Sequence, residues 1–348
     1  MKNALSIGSK RRSNMLFAGV LLAASALAIA ASVTAANAAD PVRDKWCSKV
    51  HLRFFVGGAE GDAFGTIVYN GAKQAEHDLG PTIDYIFSGW DPEKMTQQLR
   101  EAVAAKPDGI AMMGHPGEAA VMPLAEEASK AGIKMMYQNV PLPNVVAKFG
   151  GGYVGAQQAQ QGQALAEEAM RRFGLKSGDK VIVLGPFDQA PERYVREGSV
   201  ADTFTKAGLV VTKLIAPATS AADPNQLIPV ITAAVTATPD VKLIAYPGGQ
   251  QLGNVPAFMK AAGKKPGDIL AIGFDTSPQI VEGFKDGWVQ LTADQQPFLQ
   301  GYLPILSLCQ QVVYGLAPLN VDTGAGFVTP DNYKAVADLA SQNLRLVL

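Results

Sequence analysis

The 348-residue chain is short of the residues that carry most metal and redox chemistry: it has three histidines and two cysteines. A zinc ribbon or an iron–sulfur cluster needs several clustered soft ligands, so neither fits, and no metal is expected. Charge of either sign is also lacking in excess, with 30 Lys and Arg against 31 Asp and Glu. Lys2, Lys10, Arg11 and Arg12 precede residue 39 and no acid does, so the remainder is mildly acidic. That balance argues against a nucleic-acid partner. No G-x-S-x-G elbow or H-E-x-x-H pair is present, which removes two hydrolase chemistries. Gly57-Gly58 is followed by acidic residues rather than by a G-x-G-x-x-G fingerprint, so no nucleotide cofactor is expected. Beyond the first forty residues no apolar run is long enough to span a bilayer.

What is present starts with an address. Basic Lys10, Arg11 and Arg12 lead into an uncharged run from Met15 to Ala31, then into small residues ending in Ala36-Asn37-Ala38. This is the order of a secretory signal with an A-x-A cleavage site, residues 1–38, cut near Ala38. An anchoring helix is the alternative, but the run is short and Ala-rich, and no basic stop-transfer flank follows. Export to an oxidising compartment permits a Cys47–Cys309 disulfide, with two unrelated buried thiols as the alternative.

From residue 49 short β-branched or apolar runs alternate with helix-forming stretches. Expected strands are Val50 to Val56, Thr82 to Phe87, Gly109 to Met113, Lys134 to Gln138, Lys180 to Leu184, Val210 to Ala216, Leu243 to Tyr246, Ile269 to Phe274 and Val289 to Ala293. Such alternation implies βαβ units, parallel sheets and right-handed crossovers. The fold class is α/β, with two doubly wound, Rossmann-like lobes. Asn139 to Gly155, rich in Pro and Gly, reads as a linker between equal halves. Lys130-Ala131-Gly132-Ile133 and Lys206-Ala207-Gly208-Leu209 read as matching helix ends with left-handed glycine caps.

Open parallel sheets bind ligands beyond the carboxyl ends of their strands. The loops there hold Asp62, Phe64, Trp90, His115, Asn139, Phe187, Asp275 and Gln295, a set of carboxylates, amides and aromatics. Carboxylates and amides pair with vicinal hydroxyls, and aromatic faces stack on the C–H face of a sugar ring. For Asp275 the other reading is a helix N-cap ahead of Pro278, and for Phe64 a core position seating the first helix. Gln157, Gln158, Gln160 and Gln161 read as a solvated helix face, and Glu60 and Asp188 as solvated loop charges.

Three stretches resemble the ribose- and galactose-type periplasmic sugar-binding proteins of bacterial ABC transporters. They are Asp62-Ala63-Phe64 with Asn70-Gly71-Ala72, Ile272-Gly273-Phe274-Asp275, and Gln295-Gln296-Pro297 with Gly301. The resemblance implies a cleft between two lobes joined by three crossings. The N-terminal lobe would take 49–156 plus 296–325 and the C-terminal lobe 157–295 plus 326–348. It also implies that Asp62 and Asp275 orient hydroxyls, Phe64 stacks, and Asn139, Arg196 and Gln295 add hydrogen bonds. Arg196 lies in Val195-Arg196-Glu197-Gly198-Ser199, which departs from the family's R-x-x-G-F, and Arg193 is the alternative. Asn139-Val140 stands where many members have Asp-Arg, Gly114-His115 where ribose-type members have Asn, and Tyr246-Pro247-Gly248 lacks the usual Asn-Asp. A pocket with fewer charges suits a pentose, a deoxy or amino sugar, or a sugar alcohol. The expected product is a monomeric exported binding protein that hands a monosaccharide or polyol to an ABC permease, with no cofactor, no calcium loop and no catalytic residue. The alternatives are a chemoreceptor-docking sensor and a binder of a non-sugar small polar ligand.

Overall fold

The computed structural model describes residues 45–342 except 190, 222 and 325. The expected export signal lies outside the described residues. In chain order the first elements are β1 (His51–Phe55), α1 (Ala63–Leu79), β2 (Thr82–Ile86), α2 (Pro92–Ala104), β3 (Gly109–Met113) and α3 (Glu118–Lys130). Next come β4 (Lys134–Gln138), α4 (Pro143–Phe149), β5 (Gly152–Gly155), α5 (Gln158–Phe173), β6 (Lys180–Gly185) and α6 (Val195–Lys206). They are followed by β7 (Val210–Ile215), α7 (Leu227–Ala237), β8 (Leu243–Ala245), α8 (Gly249–Gly253), α9 (Val255–Ala261) and β9 (Leu270–Phe274). The last are α10 (Pro278–Lys285), β10 (Leu291–Ala293), α11 (Pro297–Tyr314), β11 (Val321–Asp322), β12 (Phe327–Val328) and α12 (Lys334–Ser341).

These strands form two sheets of six, ordered β11-β5-β4-β3-β1-β2 and β12-β10-β9-β8-β6-β7. All pairings are parallel except β10 with β12. The chain passes between the sheets after β5, after β10 and after β11. In each sheet the first strand lies between the second, which is an edge strand, and the third. That reversal of direction is a topological switch point, and the loops beside it are where α/β sheets hold ligands.

Local chemistry explains where the helices stop and start. Asp62 caps α1 by accepting from the Gly65 N–H at 2.6 Å, and Gly80 closes it at φ 87°. Asp91 caps α2, taking the N–H groups of Glu93 and Lys94, with Pro92 at the first turn. Gly132 and Gly208 adopt φ 77° and 83° at corresponding helix ends, each followed by a residue whose N–H reaches back to the helix, Ile133 to Ala128 and Leu209 to Phe204. Both take the left-handed cap read from the Ala-Gly pairs.

Two differences from the sequence reading concern short elements. Asn139 to Gly155 is not a linker, because it folds into α4 and β5, and β5 pairs with β4 inside the first sheet. Pro143 occupies the first turn of α4, where proline is favoured, and Gly152 is required because a Cβ there would overlap the Leu319 carbonyl. The two-residue strands β11 and β12 were not foreseen.

The first sheet is buried under α1, α3 and α11, around Leu52, Phe54, Ile110, Met112 and Met136. Here α1 and α11 touch backbone to backbone. A Cβ on Gly71 would overlap the Phe298 carbonyl, and one on Gly301 the Val68 carbonyl. Gly71 and Gly301 belong to stretches that carry the family resemblance, and their work is packing. Cys47 and Cys309 are disulfide-bonded, tying the segment before β1 to α11.

Candidate functional site

A cavity of about 160 Å³ lies between the strand-end loops of the two sheets. Phe64, Trp90, His115 and Asn139 line it from the first sheet, Arg193, Arg196, Glu197, Pro247, Gly248, Gln250 and Asp275 from the second, and Gln295 from a crossing. Phe64, Trp90, His115, Asn139, Arg196, Asp275 and Gln295 are thus brought together out of the sequence-derived set. Asp62 and Phe187 are not among the lining residues.

The first wall is aromatic. The Phe64 and Trp90 rings lie 5.7 Å apart and Trp90 and His115 5.0 Å apart, both tilted. Phe64 is 5% exposed, so it serves core and wall together. Trp90 sits at φ 60° and needs Gly57, whose Cβ would meet the indole at 2.6 Å. Burial, helped by the positive charges of Arg193 and Arg196, holds the His115 imidazole well below its ordinary pKa, so it is neutral.

The second wall is charged and polar. The Arg196 guanidinium lies 4.1 Å from the centre of the Phe274 ring, and its Nη2 donates to the Pro247 carbonyl at 2.6 Å. Cation–π contact and a carbonyl acceptor fix it in place. Arg193 donates from Nη1 to the His115 carbonyl at 3.0 Å, spanning the cleft. Glu197, 6% exposed in the first turn of α6, lies beside Arg196, and burial raises its pKa against the pull of both arginines. Close approach of Glu197 to β6 depends on Gly185, whose Cβ would sit 2.9 Å from that of Glu197.

Asp275 is buried at φ 73°. It does not cap α10; Ser277 does, accepting from the Ile280 N–H. Instead its Oδ2 accepts from the Gly249 N–H at 2.9 Å and its Oδ1 from Gln295 Nε2 at 2.5 Å. Desolvation raises its pKa, opposed by Arg196 and by those hydrogen bonds. Gln295 Oε1 in turn accepts from Asn139 Nδ2 at 3.1 Å, so a run of amides crosses from the end of β4 to the end of β9. Gln300 joins it, donating to the Gln295 carbonyl and to Thr323 Oγ1. Trp90, Asn139, Asp275 and Gln296, all at φ between 51° and 73°, cluster at this cleft. Left-handed non-glycine residues concentrate where structure over-determines a functional geometry.

Four placements differ from the sequence reading. Asp62 stands at the lip of the cleft as the α1 cap, and it accepts from Gln250 Nε2 of the other lobe at 3.2 Å. Burial lifts its pKa from 3.8 to about 6 against neighbouring backbone N–H groups and Trp90. Phe187 packs its ring on Tyr194 at 5.2 Å, beneath the Lys213 ammonium. Gln158 and Gln161 are not a solvated face, because Gln158 donates to the Asn139 carbonyl and buried Gln161 to the Asp294 carbonyl. Glu197 and Gln250 join the wall beyond the sequence-derived set; Gln250 is legible from its strand-end loop, while Glu197 sits on a helix and gives no comparable signal. A Cβ on Gly114, where ribose-type members carry Asn nearby, would overlap the Val140 carbonyl.

Two lobes of parallel sheet facing each other across a polar, aromatic-lined cleft define a two-lobe small-molecule binding protein. Residues 54–315 match the periplasmic binding protein domain, and the chain belongs to that family. It is 26% identical over 262 residues to a xylose/arabinose-binding protein of Sulfolobus acidocaldarius, covering 70% of this chain but 61% of that relative's length. Among solved structures it is similar to a carbohydrate transporter protein of Acidothermus cellulolyticus in complex with myo-inositol. That match has TM-score 0.73 and 25% identity, and covers 85% of this chain and 99% of the other. A solute-binding protein of Agrobacterium vitis with bound D-fucose has the same fold at TM-score 0.74 and 21% identity, covering 84% and 99%. Among the described residues no helix is long and apolar enough to cross a membrane.

Proposed function

We propose that this protein captures a monosaccharide or a cyclic or open-chain polyol between its lobes and delivers it to an ABC permease from the periplasm. The observation that carries the reading is the pairing of walls: aromatic Phe64 and Trp90 line the same cavity as Arg196 and Glu197 of α6 and Gln250 of α8. Rings suit the C–H face of a sugar, and the opposite groups suit its hydroxyls. The matched relatives support it, being sugar- or polyol-binding by name. The lobes would divide as 49–156 plus 296–325 and 157–295 plus 326–348. A ligand that touches both walls stabilises the closed arrangement by its differential affinity for it, and no catalytic step is assigned.

The test is thermal unfolding of the chain from Ala39 onward against pentoses, hexoses, deoxy and amino sugars, inositols and sugar alcohols. A ligand at about 100 times its Kd stabilises by about 2.7 kcal/mol, a readily measured rise in Tm. A selective rise with one sugar or polyol is expected. No rise across that panel, with a rise from amino acids or small amides, would overturn the reading.

A further inference from the structure

Three carboxyl groups stand at this cleft, and the resemblance points to Asp62 and Asp275 as the hydroxyl-binding pair. Neither is free to serve there: Asp62 does not line the cavity, its Oδ2 being buried without a partner beside Gly58, and Asp275 has both oxygens engaged. Asp62 Oδ1 holds the Gly65 N–H and Gln250 Nε2, which caps a helix and bridges the lobes. Asp275 Oδ1 and Oδ2 hold Gln295 and Gly249, which joins a crossing to the start of α8. Glu197 differs. Its Oε1 lies 3.4 Å from both Nε and Nη2 of Arg196, longer than a normal N–H···O bond, and Arg196 spends its shorter contact on the Pro247 carbonyl. Beyond Arg196 and its own backbone N–H, no hydrogen bond to the Glu197 carboxyl is present among the described residues, yet it lines the cavity and is 6% exposed. A buried carboxyl with unfilled acceptor sites is unfavourable unless a ligand donor fills them.

Resting on the sugar or polyol reading above, we infer that Glu197 is the carboxyl that receives the ligand's hydroxyl protons, with Arg196 beside it, and that Asp275 is a positioning residue holding Gln295 and α8. The carboxylate missing after β4, where Asn139 stands, is thereby supplied from the opposite lobe. Specificity would follow from the hydroxyl that reaches Glu197.

Calorimetric titration with D-xylose, L-arabinose, D-galactose, D-fucose and myo-inositol, alongside unfolding of the free proteins, tests this. Glu197→Gln and Glu197→Ala should weaken the best-bound probe roughly 10- to 150-fold, with Tm of the free protein unchanged or raised, since the buried charge is removed. Asp275→Asn should lower Tm of the free protein. The distinguishing readout is a deoxy series made on the best-bound probe. A contact to Glu197 makes the Glu197→Ala protein indifferent to removal of one particular hydroxyl, whereas a merely structural effect weakens all analogues alike. Glu197 variants that fold and bind within about two-fold of the parent, or Asp275→Asn that keeps its Tm and loses binding, overturn the inference alone. A parent protein that binds none of the probes overturns the sugar reading and this inference together.

Discussion

The carboxyl of Asp62 has a charge the fold does not welcome, and Asp62→Asn isolates its cost. Burial lifts its pKa from 3.8 to about 6. The residues on its lip of the cleft include Thr66, Gln250, Asn254 and Gln279, and no cation among them compensates. A carboxyl whose native pKa exceeds its unfolded value binds its proton more tightly when folded. Stability therefore falls as pH rises from 3.8 through about 6 and is level above that. At about 1.36 kcal/mol per pH unit the full cost is about 3 kcal/mol, reduced to about 1–3 kcal/mol for a group that is partly solvated. Asn retains what Asp62 does structurally, since its carbonyl oxygen caps a helix nearly as well and still accepts from Gln250. Asp62→Asn should then stabilise the protein by about 1–3 kcal/mol at about pH 8 and by well under 1 kcal/mol at about pH 4. Urea unfolding at both pH values reads this directly. A gain independent of pH, or a loss at the higher pH, would refute the assignment of the cost to the charge.

Gly301→Ala should destabilise by about 1–3 kcal/mol in urea, because the added Cβ overlaps the Val68 carbonyl and forces α1 from α11. Breaking the Cys47–Cys309 bond, by reduction or by Ser at both positions, should cost about 2–4 kcal/mol. The chain-entropy formula gives about 5.6 kcal/mol for a separation of 262 residues, and measured losses fall short of it. An unchanged unfolding midpoint under reductant would show that the closed loop contributes nothing. Gly185→Ala should lower ligand affinity more than stability, since the new Cβ would lie 2.9 Å from Glu197 Cβ and 3.0 Å from the Phe187 ring. Titration and unfolding of the same preparation separate the two effects.

Much of the architecture was legible because parallel strands buried on both faces read as continuous apolar runs: β3, Gly109–Met113, is buried at every residue. The Ala-Gly helix ends were legible because only glycine enters the left-handed cap cheaply. Asn139 to Gly155 misled because proline and glycine have two physical roles. Pro143 starts a helix and Gly152 admits a neighbouring backbone, and composition alone reads both as breaks. The two-residue strands β11 and β12 are too short to show any period. For the site, the rule that loops at strand ends meet in a cleft anticipates that Trp90, His115, Asn139 and Gln295 line one cavity. It could not say whether Asp62 would spend its carboxyl on a helix end, nor that Glu197, on a helix, would turn its carboxyl to the cavity. Those outcomes depend on hydrogen bonds between segments far apart in the chain.

The composition of the crossings bears on how the cleft works. Asn139, Gln158, Gln161, Gln295, Gln296 and Gln300 all hydrogen-bond there, and none carries a charge. A primary amide both donates and accepts, so the lobes can rotate while partners are exchanged without moving an ion between solvents. At the lips, side-chain bonds that cross the cleft among the described residues include Gln250 to Asp62 and Arg193 to the His115 carbonyl. Such bonds contribute about 0.5–1.5 kcal/mol each when neutral and about 1.5–3 kcal/mol with one charged partner. Acids sit beside the crossing amides, Asp322 accepting from the Gln157 N–H and Asp275 from Gln295, so the crossings mix neutral and charged partners. A small molecule that touches the aromatic wall and Arg196 and Glu197 together shifts the balance of opening and closing by the hydrogen bonds it makes in the closed arrangement alone.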